Sequence, residues 1–273
     1  MIKFFVEVYV HWYIFWTFQH LEMMAMLMWH KNGEQMIANR CIVLDMMLTH
    51  LLTKRVGDFK KCINKNGFKW GKLLSDIANG VHINREPNMK WMKDVDVVYA
   101  PMNWKSEHWV ALGINLNERL ITVYDALISH TRESAVKARM TPICEMMSYL
   151  VRAMCQDVLI SPYSVEPFEY VRCPTVAQNP TTGDCGPYTM KFLELLAFGH
   201  PFSELTTIRE ADMVFYRQKY SVDIYEHGKR EVVLCNCFNR PRTIFWFFAT
   251  NYYEQTYLRY MIATTFNLEI VRS

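Results

Sequence analysis

No apolar run in the chain reaches the roughly 20 residues that a membrane-spanning helix needs. Residues 1–20 come nearest, with Phe4, Phe5, Tyr9, Trp12, Tyr13, Phe15, Trp16 and Phe18, but Glu7 and His11 interrupt them. They also lack the clean apolar centre and small-residue cleavage site of a signal peptide, so a buried strand or an interface is expected there. A net charge of +3 over 273 residues is too small to imply nucleic acid or an anionic membrane as a partner. No internal repeat, low-complexity tract, phosphate-binding glycine loop or dinucleotide fingerprint is present, and no cofactor is implied.

The eight cysteines, Cys41, Cys62, Cys144, Cys155, Cys173, Cys185, Cys235 and Cys237, are not spaced as a secreted disulfide scaffold. A reducing compartment, nucleus or cytoplasm, is the expected location. Cys235-x-Cys237 is the one close pair, and it lacks the second pair of ligands that structural zinc requires. No metal is expected.

What remains is an ordinary globular composition, with about half the residues hydrophobic, enough for a sizeable core. Leu21 to Trp29 reads as a helix closed by Lys31-Asn32-Gly33. Cys41, Leu44, Leu48, Leu51 and Leu52 fall at helical spacing in a second. Val95 to Tyr99 reads as a strand ended by Pro101, followed by strands Trp109–Ile114 and Leu120–Tyr124 around the turn 115–119. Thr141 and Pro142 suit the start of a helix carrying Ile143, Met146, Met147, Leu150, Val151 and Met154 on one face. Val158–Ile160 and Tyr170–Arg172 are candidate strands. A further helix starts near Gly186-Pro187, carries Tyr188, Phe192, Leu195 and Leu196, and stops at Gly199. Helices followed by strands with interleaved helices read as α+β. Beyond Gly228 the pattern dissolves, and the aromatic run 244–248 reads as a buried strand.

Two sites carry chemistry. With 115–119 as the turn, Ile114 pairs with Leu120 and His108 faces position 126, one residue from Asp125. A carboxylate beside a histidine fixes its tautomer and stabilises its imidazolium form, as a general base requires. In Gly183-Asp184-Cys185-Gly186-Pro187 a cysteine stands at a helix N-terminus, where free backbone N–H groups and the helix dipole favour thiolate. The flanking glycines permit a sharp turn and close approach of a substrate. Cys185 is therefore the candidate nucleophile, His108 the candidate base and Asp125 its orienting partner.

His108-Trp109, then Asp125 seventeen residues on, then a glutamine before Gly-Asp-Cys-Gly, resembles the catalytic domain of the Ulp family of SUMO-specific cysteine proteases. The divergent Ulp-like domains of plant genomes are the most similar in pattern. The order histidine, aspartate, glutamine, cysteine is specific, because papain-like proteases place the cysteine first. The resemblance implies a papain-like fold of the Ulp type, with helices packed on a small mixed sheet over residues 21–228. Residues 1–20 and an extension, 229–273, lie outside it. It implies Gln178 as side-chain donor of an oxyanion hole, and Trp109 as a wall of the channel for a Gly-Gly tail. A core aromatic is the alternative reading of Trp109. The family's glutamine lies six residues before the cysteine, whereas Gln178 lies seven before, and Asn179 occupies the six-back position; Gln178 is the preferred donor. The implied activity is cleavage after the C-terminal Gly-Gly of a SUMO-like modifier. The alternatives are another ubiquitin-like protein such as NEDD8, or a transposon-derived, non-catalytic module that binds ubiquitin-like proteins.

Overall fold

The computed structural model describes residues 18–81, 87–105, 107–179 and 183–238, the side chains of 18–20 and 225–238 excepted. The chain divides into two units, 1–221 and 222–273, and the site lies in the first. Of the second unit, the described residues 222–238 are the latter part of one helix. The aromatic segment 1–17, the run 244–248 and the side chains of Cys235 and Cys237 fall outside the described residues.

Five strands form one mixed sheet in the order β1-β2-β3-β4-β5: Cys41–Val43, Val97–Trp104, His108–Asn115, Leu120–Tyr124 and Glu169–Cys173. The centre, β2-β3-β4, is antiparallel, and β1 and β5 join its two edges in parallel. Seven helices are described: α1 Phe18–Ala38, α2 Met47–Lys61, α3 Lys72–Ala78, α4 Glu133–Met154, α5 Cys185–Ala197, α6 Phe202–Thr207 and α7 Glu210–Phe238. The α+β class expected from the sequence is the class observed. Among the described residues no helix is long and apolar enough to cross a membrane.

Strand β3 explains where the core sits. Every residue from His108 to Ile114 is buried, so both faces of this central strand are covered. Helix α5 packs along β3 and β2 with α1 beside it, and α2 packs on β2 and against α4. Helix α5 buries Tyr188, Met190, Phe192, Leu193 and Leu195, the last four each contributing about 1.5–3 kcal/mol of hydrophobic stabilisation. The helix ends as expected at Gly199, whose φ of 71° lets the His200 N–H reach back to the Leu195 carbonyl at 2.9 Å. The chemistry-bearing end of α5 is therefore held by its whole apolar length.

Several local expectations are corrected. Asn32, at φ −138° and ψ 27°, is a break inside α1, which resumes and runs on to Ala38. Cys41 to Val43 is a strand rather than the start of a helix, because three consecutive apolar residues are buried beside β2. Strand β2 continues through Pro101, which pairs with Ala111. Proline is tolerated there because β1 accompanies β2 only as far as Tyr99, leaving one edge of β2 without a ladder partner. Pro142 lies inside α4 rather than at its start, since Val136 and Met140 extend the buried face upstream. Residues 158–160 form no strand, and Ile160 is fully exposed.

The hairpin register also differs by one residue. Asn115 pairs with Leu120 and Ile114 with Ile121, so the turn is four residues long. The Asn115 side chain sets this, its Oδ1 accepting from the N–H groups of Asn117 (3.1 Å) and Glu118 (3.0 Å). Arg119 then turns the chain at φ 57°.

Candidate active site

His108 opens β3, and Asp125 follows the last residue of β4, so the antiparallel pairing brings histidine and carboxylate together despite the register difference. The His108 Nε2–H donates to Asp125 Oδ1 at 2.7 Å, with both side chains buried. The remaining nitrogen, Nδ1, is left for Cys185, whose side chain is near enough to the ring to help raise the His108 pKa. Cys185 is the first residue of α5 and half-buried. Gly183, at φ 103°, supplies the sharp turn into that helix. The side chain of Asp184 is drawn into an ion pair with Arg217 of α7, which also donates to the Gly183 carbonyl at 3.1 Å. Gly183 and Asp184, the two residues before the cysteine, are thus tied down from outside the helix.

Electrostatics favour the charged forms of the histidine and the aspartate. Burial pushes the His108 pKa down, but hydrogen bonds to Asp125 and Cys185 outweigh it and raise the pKa to about 9. Burial pushes Asp125 up, yet the bonds from His108, Arg172 and the Leu127 N–H hold it below the usual carboxylate range. Other thiols are contrasting cases. Burial pushes Cys41, Cys144 and Cys155 up to about 12, which makes them inert at neutral pH.

Gln178 departs from its expected role. Its Nε2 donates to the Asp125 carbonyl at 2.8 Å and the Val176 carbonyl at 3.2 Å, and its Oε1 accepts from the Ile128 N–H at 3.0 Å. Both amide protons are spent on backbone, so this side chain clamps the chain after Asp125 and has no proton left for an oxyanion. Asn179 is buried at 1 % exposure, and its backbone N–H donates to the Ala126 carbonyl at 2.5 Å. Trp109 stands next to His108 on β3 with 8 % exposure, paired with Asn103 of β2.

Three neighbours of the base were not singled out by the sequence. Arg172 of β5 donates to Asp125 Oδ2 at 2.5 Å. The His130 ring stacks on His108 at 4.6 Å between centroids. Trp104 is fully buried and tilted against His108 at 5.8 Å. Strand alternation gives Arg172 no special status, and no short motif marks His130. Trp104 had the only available signal, as an apolar residue on the strand facing His108. No cluster of three or more metal-ligating side chains occurs among the described residues.

A thiol at a helix start, a histidine beside it and an aspartate on the far ring nitrogen, in an α+β fold with the cysteine last of the three in sequence, form the arrangement expected of a cysteine peptidase. The model of the Ulp1 protease family, C-terminal catalytic domain, matches residues 19–232, and the chain belongs to that family. Solved structures similar in fold include the SUMO protease Ulp1 with its catalytic cysteine oxidised to a sulfonic acid, at 14 % identity and TM-score 0.50, covering 78 % of each chain. A C-terminal Ulp1 protease domain in complex with Smt3, the yeast ortholog of SUMO, is 15 % identical over 74 % of each chain, with TM-score 0.45. The Xanthomonas campestris effector XopD bound to ubiquitin is 15 % identical over 76 % of this chain and 89 % of its own, with TM-score 0.47. No curated protein sequence matches the chain.

Proposed function

We propose that this domain is an active thiol peptidase that cleaves after the C-terminal Gly-Gly of a SUMO-like modifier, releasing it from lysine amines or from its precursor. The observation that carries the reading is the buried His108–Asp125 hydrogen bond beside Cys185 at the start of its helix, in a chain of the Ulp1 family. The Cys185 thiolate attacks the glycine carbonyl, and the oxyanion is held by the Cys185 backbone N–H, which as the first in its helix has no intrahelical acceptor. His108, protonated across the neutral range, donates from Nδ1 to the leaving amine as the C–N bond breaks. An acyl-enzyme thioester remains. Water then attacks it with His108 as base, regenerating the thiol pair and releasing the modifier's carboxylate. Trp109, beside the base, is assigned to the wall of the channel for the Gly-Gly tail.

For the side-chain donor to the oxyanion we assign Asn179 in place of Gln178. The support is the commitment of the Gln178 carboxamide to three backbone groups, together with the six-residue spacing of Asn179 from Cys185. Neighbouring side chains on extended backbone point in opposite directions, so no more than one of the two can face the thiol. Asn179→Ala is expected to lower kcat by about 10²–10³-fold with KM little changed. Gln178→Ala is expected to lower thermal stability, with kcat falling less than about tenfold. Steady-state kinetics with melting curves on both variants checks this, and reversed effects would return the role to Gln178.

Modifier choice is tested by turnover of C-terminal Gly-Gly fluorogenic derivatives of SUMO, NEDD8 and ubiquitin. The SUMO derivative is expected to have a kcat/KM at least about tenfold above the others, a difference of about 1.4 kcal/mol in transition-state binding. A higher value for NEDD8 or ubiquitin would reassign the modifier while leaving the chemistry intact.

A further inference from the structure

Arg172 reaches several parts of the site and has no part in the proposed chemistry. Its side chain is 8 % exposed, and one amino group, Nη2, donates both to Asp125 Oδ2 at 2.5 Å and to the Ile128 carbonyl at 3.0 Å. The other, Nη1, donates to the Thr131 carbonyl at 2.9 Å. The guanidinium carbon lies 5.8 Å from the Trp104 ring centroid, and Trp104 in turn packs on His108. Between the two carbonyls that Arg172 holds lies His130, the residue stacked on the base. One planar cation therefore joins the carboxylate to the turn covering the histidine, a geometry that a single-point ammonium cannot reproduce.

The placement follows from topology. Parallel pairing of β5 with β4 sets Arg172 beside Val123, two residues before Asp125, close enough for its long side chain to reach that carboxylate. Asp125 Oδ1 is filled by His108 and the Leu127 N–H, so Oδ2 is the oxygen that needs a donor. In the buried site an unmatched carboxylate oxygen would favour protonation, and a protonated Asp125 would no longer hold His108 as an imidazolium.

We propose that Arg172 is a positioning residue of the peptidase site, locking Asp125 in its ionised form and fixing the 128–131 turn against His108, so that the histidine keeps Nδ1 directed at Cys185. The inference rests on the functional reading above for the reaction, but not for its measurement. The charged and titratable groups facing Asp125 are His108 from β3, Arg172 from β5, His130 from the turn and Cys185, through His108, from α5. Glu133 of α4 lies 3.7 Å from Arg172, and Glu107 and Arg139 act on His130. Glu133 is mostly exposed, so it is a poor substitute for the buried carboxylate as the partner of Arg172.

The test is the pH dependence of Cys185 alkylation by iodoacetamide in the full chain, followed by peptide mass mapping, with modifier cleavage measured in parallel. Arg172→Gln is expected to move the acid limb of alkylation up by about one pH unit or more, as loss of a neighbouring cation does for a carboxylate. In parallel, kcat should fall by about 10–100-fold with KM nearly constant. Arg172→Lys, which keeps the charge but not the fork, should return the limb to within about half a unit of wild type while kcat stays about tenfold down. If Arg172→Gln fails to fold, the lysine variant alone decides. A kcat equal to wild type, or a loss confined to KM, would overturn the proposal. An unshifted limb in folded Arg172→Gln would also overturn it, making the arginine structural only. Wild-type chain that alkylates at Cys185 but cleaves no modifier would sink the peptidase reading while the alkylation comparison still decides the role of Arg172.

Discussion

Asp125→Asn is expected to lower kcat by about 10²–10⁴-fold, and also to destabilise the domain. Both effects come from the donors around the carboxylate. Oδ1 accepts from His108 Nε2 and the Leu127 N–H, and Oδ2 accepts from Arg172, so every neighbour is a donor. An asparagine has one acceptor oxygen and one NH₂ group. If the oxygen faces His108, the NH₂ group opposes the guanidinium and leaves a buried cation without its anion. If the oxygen faces Arg172, the NH₂ group opposes Nε2–H, and the ring must give up the Nε2 proton and keep its one proton on Nδ1, which can then no longer accept a proton from Cys185. Loss of one partner of a buried pair costs about 3–5 kcal/mol, so melting temperature should fall together with rate. Kinetics and thermal melts on the same preparation check this. A rate within tenfold of wild type would reduce Asp125 to a residue of the hairpin. From the sequence alone, the expected cost is in rate with little in stability; Arg172 is the reason both are now expected.

What the sequence made legible follows from which interactions are local. Helix α5 was readable because its start, its apolar face and its glycine stop lie within sixteen consecutive positions, each following from helix geometry. The pairing of His108 with Asp125 was readable for a similar reason, since a hairpin makes its two ends neighbours. Even a register one residue off leaves them adjacent, because side chains of this length span the difference. The register itself was missed because Asn115 looks like a turn residue by type, and in the structure it serves as the last strand residue while its side chain caps the turn.

The non-local features were hidden. Strand β1 is three residues long, and its identity depends on β2 lying beside it, some 55 residues away in sequence. Arg172 occupies a strand position where alternation carries no information about a carboxylate on the next strand. The choice between Gln178 and Asn179 turned on backbone carbonyls at Asp125 and Val176 and on the Ile128 N–H, groups invisible to any count of side chains. Resemblance of spacing indicated that a carboxamide belongs before the cysteine, and the hydrogen bonds of Gln178 are the support for proposing Asn179 instead.

Cys185 carries the largest expected effect. The proposed reaction forms and breaks a bond to its sulfur, so Cys185→Ala removes the nucleophile while leaving a methyl group at the half-buried start of α5, with little cost to packing. Turnover should fall by at least about 10⁴-fold, and modifier binding should be retained. The most direct measurement is intact mass after incubation with a SUMO C-terminal vinyl sulfone, followed by peptide mapping. The wild-type chain is predicted to gain one modifier, bonded through the Cys185 sulfur, and Cys185→Ala to gain none. No adduct on folded wild-type protein, or an adduct of equal yield at another cysteine such as Cys62, would contradict the assignment of Cys185 as nucleophile.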